Sequence, residues 1–100
     1  MSATETFAVL YRPGPRWSAE LPFHKQDGVM AHRDFLAAQH AAGALIVGGP
    51  FLDDTGGLAV YAAASRADLE RALAEDPTVA GGLLRYEIHP YAVAFARMPD

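Results

Sequence analysis

One hundred residues with a mass of 10.7 kDa, 51% hydrophobic and 20% charged, describe one globular domain and leave no room for a second. The chain has no cysteine, which excludes disulfides, thiolate metal sites and Cys nucleophiles and fits a cytoplasmic protein. A net charge of −4, with eight Lys and Arg scattered singly, excludes a basic nucleic-acid surface, and no apolar run approaches the ~20 residues of a membrane span.

Residues 1–5 read as a polar tail without the basic region of a signal peptide. Phe7 to Tyr11 is a short apolar run stopped by Pro13-Gly14-Pro15, and predicts a strand. Residues 13–25 form a loop with Trp17 as its one large anchor. A loop this long in so small a domain suggests a lid or pocket wall. From Gln26 to Ala42 the chain carries many helix formers, and Val29, His32, Leu36, His40 and Gly43 recur at helical spacing, with Phe35 widening the face. Gly43 is placed to end that helix. Ala44–Gly48 and Leu58–Ala62 predict two further strands, joined as a hairpin through Asp53-Asp54-Thr55-Gly56-Gly57. Ser65, with Asp68 three positions on, opens a second helix whose inner face is Leu69, Ala72 and Leu73 and which ends near Asp76, ahead of Pro77. Residues 78–82 read as a loop, and Leu83–Phe95 as a last strand broken or bulged at Pro90.

The order β-α-β-β-α-β predicts an α+β, ferredoxin-like sandwich, with two helices on one face of a four-stranded antiparallel sheet. The first three strands are apolar at successive rather than alternate positions, so both sheet faces are expected to be apolar. Two helices cover only one of them. The other face then either packs against a second copy of the chain or leaves a monomer with an unusually apolar surface.

Two residues stand out as chemistry. His32 lies on or beside the buried helix face, as a hydrogen-bonded histidine at the core edge or as a general base. Asp76 follows Glu75 at the end of a helix, where the macrodipole disfavours carboxylates; it is either a simple Asp-Pro turn or a functional acid. His24, His40 and His89 show no metal-ligand spacing, Asp53-Asp54 continues into no calcium-loop pattern, and Gly48-Gly49-Pro50 and Gly81-Gly82 lack the order of a phosphate loop. No metal site is expected, and no Ser has the surroundings of a nucleophile elbow.

Taken together, Arg12-Pro13-Gly14-Pro15-Arg16-Trp17, Gln26 followed by His32–Leu36, Gly43–Pro50, Gly57, Glu75-Asp76-Pro77 before Gly82-Leu83, and Ile88–Tyr91 form an ordered series along nearly the whole chain. In that series the chain resembles the YCII-related (YciI-like) family of the dimeric α/β-barrel superfamily. The resemblance implies one such domain over 1–100, a homodimer joined sheet face to sheet face, and a His–Asp pair at a small pocket, which falls on His32 and Asp76. Relatives resembling muconolactone isomerases and dehydrochlorinases move a proton beside a carbonyl-like group without a cofactor. It follows that His32 is expected to be the acid/base and Asp76 its orienter. Arg12 is expected as an anion anchor, and Trp17, Gly49 and Pro50 as pocket lining for a small-molecule ligand. The alternatives are a non-catalytic small-molecule binder and, less in keeping with the residues, a haem- or quinone-type monooxygenase. Thr78 departs from the family, which often has an aromatic residue after Asp-Pro.

Overall fold

The computed structural model describes residues 4–97, so the first three residues of the expected polar tail lie outside the described residues. Four strands, β1 (Glu5–Pro13), β2 (Leu45–Pro50), β3 (Gly57–Ala63) and β4 (Leu84–Pro90), form one antiparallel sheet in the order β2-β3-β1-β4. Three helices accompany it: α1 (Val29–Ala41), α2 (Arg66–Leu73) and α3 (Pro77–Ala80). This is the expected ferredoxin-like arrangement with one short helix added.

The register divides the sheet residues between two faces. Phe7 pairs with Tyr61, Val9 with Ala59 and Ile88, and Pro13 with Leu84. All of these but Pro13, with Tyr11, Leu45, Leu69 and Leu73, belong to the buried core. Burying each large apolar side chain contributes about 1.5–3 kcal/mol. Ala8, Leu10 and Arg12 occupy the other face, opposite Val60, Leu58 and, on β4, His89, Glu87 and Arg85. That open face is apolar along β2, β3 and β1 but charged along β4. The expectation of a wholly apolar face is corrected there: Leu84 to His89 alternates, as a half-buried edge strand does.

Local signals set several element ends. α1 closes with Gly43 N–H on the His40 carbonyl and Ala44 N–H on the Gln39 carbonyl, the paired bonds of a Schellman motif. Ser65 Oγ accepts the Asp68 N–H at 3.1 Å and opens α2 as expected. Other ends differ. α1 begins at Val29 rather than Gln26, because Gly28 stands at φ 91 outside helical space. Gln26 is instead buried in the loop, its side-chain amide donating to the Ser18 and Leu21 carbonyls and accepting from Ser18 N–H. His40 is exposed, off the buried face. The last strand stops at Pro90, with one further bond from Tyr91 N–H to the Thr6 carbonyl; residues 91–97 form no strand, since β1, the only neighbour of β4, begins there.

Candidate active site

Four separate segments converge on the His32 imidazole. α1 carries it on its second turn, and α3 packs against α1. Nδ1 lies 2.5 Å from Asp76 Oδ2, and both side chains are withdrawn from water, with residue exposures of 6% and 0%. The Phe23 ring, from a 3-10 turn over Phe23–Lys25, stacks on the imidazole at 6.4 Å and 23°. The Tyr11 ring, from β1, meets it edge-on at 4.8 Å and 73°.

Asp76 is not at a helix end, as its place after Glu75 suggested. α2 stops at Leu73, and Asp76 is the N-cap of α3, with Pro77 in the first turn. The Asp-Pro dipeptide is a helix-start signature, and that signal was legible in the sequence. The cap assigns each carboxylate oxygen its own work. Oδ1 accepts the Thr78 backbone N–H at 2.9 Å and the Thr78 hydroxyl at 2.7 Å, leaving Oδ2 for His32. Burial pushes the Asp76 carboxyl up, but the hydrogen bonds from His32 and Thr78 outweigh it and hold the group below its ordinary value. Asp76 is therefore ionised at neutral pH, and Nδ1 carries a proton and donates it. Thr78, the departure from the family pattern, is one of the residues that fix the acid, and its Oγ1 also stands 3.5 Å from Nδ1.

His32 Nε2 is the free end of the pair. Among the described residues no buried side-chain nitrogen or oxygen lacks a hydrogen-bond partner. Nε2 makes no hydrogen bond among the described residues, so it is the nitrogen through which this nearly buried side chain meets solvent. A second buried polar feature that periodicity did not reveal is the pair of Tyr11 and Tyr61 hydroxyls, 2.9 Å apart. Burial pushes the Tyr61 hydroxyl up to about 12, and Tyr11, raised by its own burial and by Tyr61 beside it, higher still. Both stay protonated.

Of the other expected site residues, Trp17 joins the cluster indirectly. It is half-buried, and its ring meets Phe23 edge-on at 5.2 Å. Its loop is tied down by Gly14 N–H and Arg16 N–H to the Leu83 and Gly82 carbonyls. Arg12 is not brought to the pair. Because strand side chains alternate, the neighbour of Tyr11 points to the open face, where Arg12 Nε donates to Glu87 Oε1 at 2.8 Å. That bond holds the exposed Glu87 carboxyl below its usual range. Gly49 and Pro50 stand exposed at the end of the edge strand β2, where Pro50 pairs with Gly57 beside the hairpin turn. Among the described residues, no group of three His, Cys, Asp or Glu is arranged to hold a metal ion, and no helix is long and apolar enough to cross a membrane.

Comparison with curated proteins gives no match. Among solved structures, the chain is similar to 5-chloro-2-hydroxyhydroquinone dehydrochlorinase (TftG) from Burkholderia phenoliruptrix AC1100, in complex with 2,5-dihydroxybenzoquinone. The identity is 23%, the match covers 86% of this chain and 93% of that one, and the TM-score is 0.65, a likeness of fold. The profile of the YCII-related domain matches residues 7–92, from β1 past the end of β4 and across both His32 and Asp76, and the chain belongs to that family.

Proposed function

We propose that the protein is a small-molecule lyase or isomerase that works without a cofactor, and that His32 moves the proton. The observation that carries this reading is the buried 2.5 Å contact between His32 Nδ1 and Asp76, which leaves Nε2 as the one nitrogen turned toward solvent. A carboxylate on Nδ1 holds the neutral imidazole in the tautomer whose Nε2 lone pair is a base. That lone pair takes a proton from carbon beside a carbonyl-type group, and the C–H electron pair moves into the carbonyl to give an enolate. The imidazolium is stabilised by Asp76 while it exists. Collapse of the enolate expels a leaving group in a lyase. Return of the proton to a different carbon completes an isomerisation. General acid–base catalysis of this kind contributes about 10²–10⁴-fold. Trp17 and Phe23 form the aromatic side of the pocket in this reading, with Gly49 and Pro50 at its rim.

The family and the ligand of the structural neighbour make hydroxylated quinones the first compounds to try. Binding of 2,5-dihydroxybenzoquinone is measured by calorimetry, and chloride release from 5-chloro-2-hydroxyhydroquinone by ion electrode. Solvent deuterium uptake into a panel of enol lactones and hydroxyquinones is followed by NMR. Turnover or deuterium uptake that disappears in His32→Ala supports the proposal. Binding with neither would make the protein a non-catalytic small-molecule binder.

The same reading includes a homodimer in the cytoplasm with no nucleic-acid partner. The open sheet face supports the pairing, since Leu58 and Val47 are 39% and 48% exposed there. Light scattering should then give near twice 10.7 kDa, and a folded monomer at micromolar concentration would refute the pairing.

A further inference from the structure

The hairpin turn between β2 and β3 has no part in the proton transfer, yet it touches both aromatic residues that flank the histidine. It is closed on itself by Phe51 N–H to the Gly56 carbonyl at 2.8 Å and by Asp53 Oδ1, which accepts the Thr55 N–H and hydroxyl. Two attachments lead outward from it. Asp54 Oδ1 accepts the Phe23 backbone N–H at 2.9 Å, across 31 residues of sequence. Gly56 lies so close to the Tyr11 backbone that a Cβ there would overlap the Tyr11 carbonyl oxygen. Phe23 and Tyr11 are the two rings against the His32 imidazole.

Asp54 itself is unusual. It has φ 62, the one positive-φ residue other than glycine among the described residues. That conformation is disfavoured for a side chain, with Asp and Asn the least penalised. Glycine would relieve the backbone, but it has no oxygen to reach Phe23. The two acids thus have separate uses: Asp53 ties the turn together and Asp54 ties the turn to the 3-10 segment.

We propose that Asp54 is a positioning residue for His32, acting through Phe23, and that the Phe51–Gly57 turn sets the aromatic frame in which the imidazole is held. Asp76 fixes the imidazole by one nitrogen and leaves the ring free to tilt about that bond. The Phe23 and Tyr11 rings remove that freedom, so the turn determines where Nε2 points. The inference rests on the proposed role of His32, but its test reads the histidine's surroundings and needs no substrate. Failure of the turnover assays and failure of this idea are therefore separate results.

The test compares Asp54→Ala, Asp54→Asn and Asp54→Gly. Asparagine keeps an acceptor oxygen for the Phe23 N–H; alanine and glycine do not. Glycine also removes the backbone penalty, so it remains folded if alanine does not. Two native-state signals are read. The His32 ring protons lie in the ring currents of Phe23 and Tyr11, and Trp17, the only tryptophan, leans on Phe23. Asp54→Ala and Asp54→Gly should move the His32 ring resonances toward those of free histidine and shift Trp17 emission to the red. Asp54→Asn should leave both near wild type. A merely structural turn would alter the melting temperature and neither signal. Unchanged His32 and Trp17 signals in folded Asp54→Gly would overturn the proposal, as would an Asp54→Asn protein disturbed as much as Asp54→Ala.

Discussion

The two sides of one strand carry two acid–base contacts of similar length and different consequence. On the covered side, beneath Tyr11, His32 meets Asp76 at 2.5 Å; on the open side, next along β1, Arg12 meets Glu87 at 2.8 Å. The buried pair is held by a helix cap, a threonine hydroxyl and two aromatic rings. The side chains of the open pair are 44% and 47% exposed, and beyond Arg12 Glu87 meets only the exposed His89, 3.5 Å from its other carboxylate oxygen. Water screens the second and is excluded from the first, so similar distances correspond to unlike energies. The covered contact can set a protonation state, whereas the open one maintains a solvated surface.

That comparison predicts its largest effect at Asp76. Asp76→Ala leaves the His32 Nδ1–H, the Thr78 N–H and the Thr78 hydroxyl without their acceptor, and should lower stability by about 3–5 kcal/mol in urea unfolding. A loss no larger than that of a surface substitution would mean the pair is not energetically buried.

Thr78 should sharpen the contrast. Thr78→Val keeps the shape and removes one hydroxyl bond to Asp76, at about 1 kcal/mol. It should also change the acid limb of stability. The folded Asp76 carboxyl sits below its ordinary value, so its contribution is present above the unfolded carboxylate pKa and is lost as the pH falls through the lowered folded value. Thr78→Val brings the folded value closer to the unfolded one, and the part of the acid slope due to Asp76 shrinks. Asp76→Asn removes that part altogether. Urea melts between neutral pH and the acid limit read both variants.

The alkaline limb has the opposite sign. Tyr61 is raised from 10.0 to about 12 in the fold. Its neutral form is therefore favoured by folding, and stability should decline as the pH rises from 10.0 toward 12 while the unfolded tyrosine ionises. Tyr61→Phe should flatten that decline in denaturant melts.

The smallest effect belongs to Arg12. Arg12→Ala should leave the melting temperature close to wild type at moderate salt and leave the His32 ring resonances in place. A change at His32 from this substitution would show that the two sides of the sheet are coupled.

Much of this was readable before any coordinates. The cap at Ser65 and the helix end at Gly43 follow from interactions within five residues, the range over which sequence signals act directly. His32 on an inner helix face follows from periodicity, and the βαββαβ order from the alternation of apolar runs and turns. Asp76 stood out beside Glu75 near a helix end, but its pairing with His32 was legible only through family resemblance. Its chemistry depends on His32, which stands 44 residues away in the chain.

The sequence by itself determined the element order, several element ends and the set of side chains able to form one core, because propensity, capping and turn chemistry are local. Tertiary structure decided which parity of β1 faces the helices, since a strand apolar at successive positions does not specify its inner side. That choice placed Tyr11 against the histidine and Arg12 away from it. It also decided that Asp76 reaches His32 and that Asp54 reaches Phe23. Each of these is a contact between segments far apart in the chain, and such contacts exist only once the sheet has paired and the helices have packed across it.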